Sequence, residues 1–159
     1  MTTHHEEKFL PHSPQDMFDL VADVARYPEF LPWTGAARIR SRQPFAGHGD
    51  PLAEVMEADL VISFKLFRER FGSRVTLLPA QGQILTHYLD GPLRDLKSVW
   101  KFAPGVHGPK SCKVTFDVDF EFRNPILGGV IGLVFAEAMT RVVRAFEMRA
   151  KVLYGGGGL

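Results

Sequence analysis

Residues 112–122 of the chain read CKVTFDVDFEF, with apolar side chains at every second position. Strand side chains point alternately to the two faces of a sheet, so this alternation predicts a strand with one face in the core and one in water. The face predicted to be buried carries Cys112, Val114, Phe116, Val118, Phe120 and Phe122. The pattern is typical of an antiparallel sheet with a single apolar face.

After Asn124-Pro125 the hydrophobic period becomes helical and stays so for about 28 residues, well beyond the ~11 of an average helix. One broad apolar stripe is formed by Ile131, Phe135, Ala138, Met139, Val142, Val143, Phe146, Ala150 and Leu153. A helix with such a stripe must bury it against another large apolar surface. We expect the sheet to curl around this helix, which gives the α+β fold class.

The chain ahead of residue 112 predicts the other elements. Ser13 is placed as the N-cap of a short helix that has Pro14 in its first turn and ends near Arg26. A strand begins at Ala37, and the next alternation puts Met56, Ala58, Leu60, Ile62, Phe64 and Leu66 on one face. Shorter strands are predicted at Ser73–Leu78, Ile84–Leu89 and Leu96–Phe102, and the glycine- and proline-rich breaks between them indicate hairpins.

Composition limits the function classes. A chain of 159 residues fits one domain, which we expect to span residues 1–154 with a flexible tail at 155–159. The net charge of +1 argues against a globally electrostatic nucleic-acid binder, DNA included. Cys112 is the only cysteine and the N-terminus lacks the apolar core of a signal peptide, so the expected location is cytoplasmic. The apolar, charge-free run at residues 124–136 is shorter than the ~20 residues of a membrane-spanning helix.

The segment Tyr27-Pro28-Glu29-Phe30-Leu31-Pro32-Trp33 crowds prolines and aromatic side chains between the first helix and the strands. Each proline fixes its own φ and moves the preceding residue away from helical geometry, so the aromatic rings stand on a stiff backbone. We refer to residues 27–33 as the aromatic corner. Two interpretations stay open: the rim of a ligand pocket, or a helix stop whose rings fill the core.

Several strings in the sequence resemble one known family. They are MFDLVADV at 17–24, the aromatic corner, FGSRV at 71–75, DGPL at 90–93, Leu96, and WKF at 100–102. Together they are similar to the coenzyme Q-binding and ribosome-association-toxin branch of the START-like helix-grip superfamily, which also contains polyketide cyclase-like proteins. The chain departs from that pattern at Thr34 and Leu93, where members often carry Cys and Phe.

The resemblance implies a curved antiparallel sheet of six to seven strands wrapped around a long C-terminal helix, with short helices after the first strand. It also implies an apolar tunnel that holds ubiquinone or a similar polyisoprenoid, with no cofactor required. The implied role is a carrier or chaperone that supports respiratory electron transport, in peripheral contact with the inner membrane or a respiratory complex. The alternative partner is the ribosome, and a third possibility is a cyclase-like enzyme acting on an aromatic substrate.

No catalytic residue and no metal site is predicted. The sequence has no Gly-x-Ser-x-Gly elbow, and its histidines lack metal-ligand spacing; His4 and His5 would point to opposite faces of a strand. Cys112 is expected in the core, where a thiol behaves as a small hydrophobe. The carboxylates of Asp117, Asp119 and Glu121 are expected on the wet face of their strand. We therefore expect no enzyme activity.

Binding of a lipophilic ligand accounts for the sequence better. The candidate ligand-binding residues are Phe30, Leu31, Trp33, Met56, Leu60, Ile62, Phe64, Trp100, Phe116, Phe120, Phe135, Met139, Val142 and Phe146. Periodicity alone is equally satisfied by a packed core and by a tunnel wall, and the family resemblance favours the tunnel. The indole N–H groups of Trp33 and Trp100 are candidates for a hydrogen bond to a quinone carbonyl.

Two further features concern partners. The apolar segment 125–135 is interpreted as buried, as a lid, or as a contact with a bilayer or a subunit. Arginines at 38, 40 and 42 line one strand face, and those at 68, 70 and 74 are expected to cluster between strands. Such stripes suit ribosomal RNA phosphates, unless acids such as Glu57, Asp59 and Glu69 neutralise them.

Overall fold

The structure, a computed structural model, describes residues 2–46, 49–64, 67–124 and 135–155. Its strands are β1 (Thr2–Leu10), β2 (Thr34–Pro44), β3 (Glu54–Phe64), β4 (Phe67–Leu78), β5 (Gln83–Asp90), β6 (Leu93–Pro104) and β7 (Cys112–Phe122). Its α-helices are α1 (Pro14–Ala22) and α2 (Phe135–Tyr154), and a 3-10 helix (Val24–Glu29) follows α1. The seven-stranded sheet and the long C-terminal helix confirm the predicted fold.

The sheet is antiparallel throughout, in the order β1-β7-β6-β5-β4-β3-β2. Strands β2 to β7 follow one another as a meander, and β1 pairs with β7 at one edge. The register puts Trp100 opposite Phe116 and Leu96 opposite Phe120, so the apolar faces of β6 and β7 coincide. On β1, His4 and His5 are consecutive residues and therefore lie on opposite faces of the sheet, as expected.

The first helix begins as the sequence predicts and ends earlier. Ser13 is the N-cap, and its Oγ accepts a hydrogen bond of 3.0 Å from the backbone N–H of Asp16. The α-helix stops at Ala22, and the chain continues as the 3-10 helix that contains Pro28. The hydroxyl of Tyr27 donates a hydrogen bond back to the carbonyl of Val21. This bond ties the aromatic corner to the end of α1.

The concave face of the sheet is divided into two halves. In one half the inner side chains are tightly packed, with Met56 at 1% exposure and Val75, Leu77 and Ile84 also buried. Helix α1 covers this half, where the ring of Phe18 meets that of Phe102 edge-on at 6.0 Å between centroids. We call it the packed half. The other half, toward Ile62, Phe71 and Phe120, lies under α2.

The strands differ from their predicted bounds mainly where charged residues fill the outer face. Strand β4 begins at Phe67 rather than Ser73, so Arg68 and Arg70 lie within it and not between strands as predicted. Helix α2 is described over Phe135–Tyr154, and the rest of the apolar segment 125–134, Ile131 included, lies outside the described residues. Within the described part of the chain, no helix has the length and apolar character needed to cross a membrane.

Candidate functional site

A cavity of about 350 Å³ lies between the concave face of the sheet and α2. Inner side chains of β3 to β7 form its floor, and α2 contributes Ala138, Met139, Val142 and Phe146. Its volume falls within the ~300–1,000 Å³ of small-molecule sites in proteins. The interior in this half of the fold is therefore hollow, whereas in the packed half it is filled by side chains.

The aromatic corner is docked onto α2 by three rings. Phe146 meets Tyr27 and Phe30 edge-on, each at 5.3 Å between centroids, and Tyr27 meets Phe30 at 6.0 Å. The guanidinium of Arg149 lies over the Phe30 ring at 5.2 Å, while its Nη2 donates to Glu29 at 2.7 Å. Edge-to-face pairs and a cation–π contact each favour one fixed arrangement. The corner and the helix thus form a single wall.

The end of the corner lines the cavity. Leu31, Pro32 and Trp33 are half-buried members of the lining. Trp33 has φ 64, the left-handed region that non-glycine residues rarely adopt. Its carbonyl accepts a hydrogen bond of 2.8 Å from the N–H of Ser63, which anchors this backbone to the end of β3. Such conformations persist where the surroundings hold them, often at ligand sites.

A cluster of aromatic rings around Trp100 separates the cavity from the packed half. Trp100 lies 4.3 Å from Phe116, 5.1 Å from Phe146 and 6.1 Å from Phe102, measured between centroids. Trp100 is nearly fully buried, at 6% exposure, yet it contributes to the cavity lining. These rings connect β6 and β7 to α2 and form the inner wall of the cavity.

Most of the predicted ligand-binding residues lie in the lining. They are Leu31, Trp33, Leu60, Ile62, Trp100, Phe116, Phe120, Met139, Val142 and Phe146. Phe30 and Met56 do not line the cavity: Phe30 supports the corner from behind, and Met56 belongs to the packed half of β3. The side chains of Phe64 and Phe135 lie outside the described part of the structure. The predicted ligand-binding roles of Phe64 and Phe135 remain predictions.

The sequence-based prediction missed four hydroxyl-bearing side chains that β4, β5 and β6 contribute to the lining: Ser73, Thr86, Tyr88 and Ser98. All lie on the concave face, where the alternation of their strands places them beside apolar neighbours. They are polar residues, so the apolar pattern of the strands does not include them. The available signal was their register on the inward face of β4, β5 and β6.

The described residues contain no group of His, Cys, Asp and Glu side chains arranged to hold a metal ion. Cys112 is buried as expected, and burial raises the pKa of its thiol to about 11. Asp117 lies on the outer face of β7, where it contacts His5. The hydrogen bond to Asp117 raises the pKa of His5 above its usual value.

Several of the arginines in the predicted basic stripes are paired with acids on the outer face of the sheet. Arg40 Nε donates to Asp59 at 3.0 Å and Arg70 Nη1 donates to Asp59 at 2.6 Å, while both arginines also contact Asp90. Hydrogen bonds from Arg40 and Arg70 hold the pKa of Asp59 below its usual range. Arg42 pairs with Glu54 at 2.6 Å, but the register shift between Ile39 and Ser41 puts Arg42 opposite the inner residue Met56, so the prediction that it shares a strand face with Arg38 and Arg40 was wrong. Carboxylates therefore neutralise the centre of these stripes, with Asp90 and Glu54 acting alongside the expected Asp59.

The chain matches characterised proteins over most of its length. A family model described as "Polyketide cyclase / dehydrase and lipid transport" matches residues 10–147. A ribosome association toxin, RatA, from Pseudomonas aeruginosa is 35% identical over 156 residues, covering 98% of this chain and 100% of that protein. The mitochondrial coenzyme Q-binding protein COQ10 homolog B of Xenopus laevis is 33% identical over 152 residues, covering 94% of this chain and 58% of that protein.

A solved structure shares the fold. It is a START superfamily protein from Mycobacterium smegmatis that superposes with a TM-score of 0.77 at 20% identity, covering 96% of this chain and 99% of that one. At this identity the likeness concerns the architecture alone. With the family match over residues 10–147 and the full-length relatives, the conclusion is that the chain belongs to the polyketide cyclase/dehydrase and lipid transport family of START-like proteins, in the branch that includes ribosome association toxins and coenzyme Q-binding proteins.

Proposed function

We propose that the protein binds a lipophilic molecule, ubiquinone or a related polyisoprenoid, in the cavity under α2. The observation that carries this proposal is a partly open cavity of about 350 Å³ whose lining is mainly apolar and aromatic. Burial of apolar ligand surface is worth roughly 25 cal/mol per Å², so a few isoprene units offset the cost of immobilising the ligand. The similarity to a coenzyme Q-binding protein supports the quinone as the first ligand to test.

The proposed role is that of a carrier or chaperone rather than an enzyme, with the ligand unchanged. The described lining holds hydroxyl and indole groups but no carboxyl, imidazole or amino group to act as a general acid or base. A carrier for a respiratory quinone works at the surface of the inner membrane, where its ligand is dissolved. We place the protein in the cytoplasm with peripheral contact there.

Organic extraction of the purified protein, followed by mass spectrometry, tests the ligand. The expected result is a co-purified quinone or related polyisoprenoid in the wild type. The variant Ala138→Trp, which puts an indole into the cavity, should lose it. The matched control is Ala136→Trp, because residue 136 is exposed on the same turn of α2 and should leave the ligand in place. Equal ligand content in both variants would contradict a site in this cavity.

A second measurement uses the protein's own fluorescence. The chain has two tryptophans, Trp33 and Trp100, and both line the cavity. Quinones quench indole fluorescence at short range, so titration with a soluble ubiquinone analogue should quench the emission and saturate. Trp33→Phe should leave part of the quenching and report only Trp100. Quenching that never saturates would show collisions in solution instead of binding.

Contact with the ribosome is the second candidate function, because the similarity to a ribosome association toxin spans that protein completely. Arg38, Arg68 and Arg74 are exposed on the outer strand faces and provide cationic groups for RNA phosphates. Sedimentation of ribosomes with added protein tests it, and loss of 70S particles is the expected result. Replacing these three arginines with glutamine should abolish the effect if the outer face makes the contact.

A further inference from the structure

The cavity floor carries a compact polar patch within an otherwise apolar surface. Ser73 on β4 lies opposite Tyr88 on β5, and Thr86 on β5 lies opposite Ser98 on β6. Side chains directly opposite each other in an antiparallel pair have Cβ atoms about 4.5–5.5 Å apart, and Thr86 and Tyr88 are about 6.7 Å apart along their strand. We call these four residues the hydroxyl patch. It spans the three central strands of the sheet.

The hydroxyl patch is directed at the cavity. The Tyr88 hydroxyl accepts a hydrogen bond of 2.9 Å from the backbone N–H of Leu93, which fixes the phenol and leaves its proton to donate elsewhere. Among the described residues, no side chain or backbone group forms a hydrogen bond with the hydroxyls of Ser73, Thr86 or Ser98. Ser98 is only 9% exposed. A polar group in such surroundings favours a partner that arrives within the cavity.

The patch favours an uncharged partner. The described lining contains no Asp, Glu, Lys, Arg or His side chain. A carboxylate or phosphate brought to the floor would lose its hydration without meeting a cation, which is strongly unfavourable. A carbonyl or hydroxyl oxygen needs only hydrogen-bond donors and acceptors, and serine, threonine and tyrosine hydroxyls supply both.

The remainder of the lining suits a hydrocarbon chain. Opposite the floor, α2 presents Ala138, Met139 and Val142, and the corner presents Leu31. We propose that the hydroxyl patch binds the neutral, oxygen-bearing head group of an amphipathic ligand while the tail lies against α2 and the corner. This inference rests on the proposed function, and it narrows the ligand class to lipids with a ketone, quinone, phenol or alcohol head. Fatty acids and phospholipids are thereby disfavoured.

The test separates the head from the tail. Calorimetric titration compares prenyl-1,4-benzoquinone with prenylbenzene, which has the same tail and no ring oxygen, and with a fatty acid of similar length. The wild type should bind the quinone at least tenfold more tightly than either of the others. The double variant Thr86→Val/Ser98→Ala removes two hydroxyls at nearly constant volume. It should weaken quinone binding about tenfold, the loss expected for two hydrogen bonds, and leave prenylbenzene within twofold.

The control is Thr115→Val on the outer face of β7, which should alter neither affinity. The double variant should also melt no lower than the wild type, because apolar groups replace hydroxyls that have no described protein partner. If the wild type binds both prenyl probes equally, or the double variant weakens both equally, the head-group assignment is wrong while binding in the cavity stands. If the wild type binds neither prenyl probe, the proposed function fails and the head-group assignment fails with it.

Discussion

Three alanines on α2 give a direct test of where the interior is hollow. Ala138 lines the cavity, Ala150 is fully buried at 0% exposure, and Ala136 is exposed. The same change to leucine at each position should therefore have three different effects on the free energy of unfolding. The helix and the substitution are constant, so the differences come from the surroundings of each side chain.

The magnitudes follow from the space available. Leucine adds ~3 carbon atoms, worth about 2 kcal/mol when buried without strain, less ~0.5–1 kcal/mol of side-chain entropy. Ala138→Leu should thus stabilise the protein by about 1–2 kcal/mol and raise its melting temperature by about 3–6 °C. Ala150→Leu overfills a packed site and should cost about 1–3 kcal/mol. Ala136→Leu should change stability by less than about 0.5 kcal/mol.

Thermal and urea unfolding of the four ligand-free proteins, monitored by circular dichroism, measure these differences. Ligand must first be removed by extraction, since a bound lipid raises the apparent stability of the wild type. The reasoning is refuted if Ala138→Leu destabilises the protein as Ala150→Leu does. That result would mean that side chains already fill the space under α2, and a lipid site there would be untenable.

Three further predictions concern the rest of the fold. Because Arg40 and Arg70 lower the pKa of Asp59, its carboxylate stabilises the fold above about pH 4 and this contribution is lost as the pH falls through the lowered pKa. Urea unfolding should show Asp59→Asn to be less stable than the wild type at pH 7, with the gap closing toward pH 2. Gly82→Ala should cost at least about 1–2 kcal/mol, since Gly82 has φ +63 and a Cβ there would lie 2.6 Å from a backbone carbonyl oxygen; a melting temperature equal to that of the wild type would contradict this. Cys112, with its pKa raised to about 11, should resist thiol reagents at pH 8 until the protein unfolds, and rapid labelling of the native protein would contradict its burial.

The sequence predicted the elements best where one face of a strand is apolar and the other charged. The sequence predicts strand β7 with its observed bounds, because apolar and polar side chains alternate strictly over Cys112–Phe122. Strand β4 was predicted six residues too short at its start, since Arg68, Glu69 and Arg70 conceal the period. The acids that pair with Arg70, Asp59 on β3 and Asp90 on β5, are distant in sequence. The sequence indicated Asp59 as a neutralising acid, but the local pattern contains no information that Asp90 joins it.

The sequence predicted which side chains face the interior, but not where that interior is hollow. Leu60 and Met56 lie on the same face of β3 with the same periodicity, yet one lines the cavity and the other is packed. What separates them is the position of α1, which covers one end of the concave face and not the other. The hydroxyl patch was not predicted for a related reason. The sequence alone does not show that Thr86 and Ser98 lie opposite each other on the inward face, because that depends on the strand register.

The division of the concave face has a consequence for how this architecture diversifies. The buried side chains of α1 and of the packed half, such as Met17, Met56 and Leu77, supply buried area and so contribute much of the folding free energy. Substitutions at Ser98 or Val142 alter the shape of a cavity that side chains do not fill, so we expect them to cost little stability. In this architecture a few point substitutions can therefore change the shape of the cavity without compensating substitutions in the packed half.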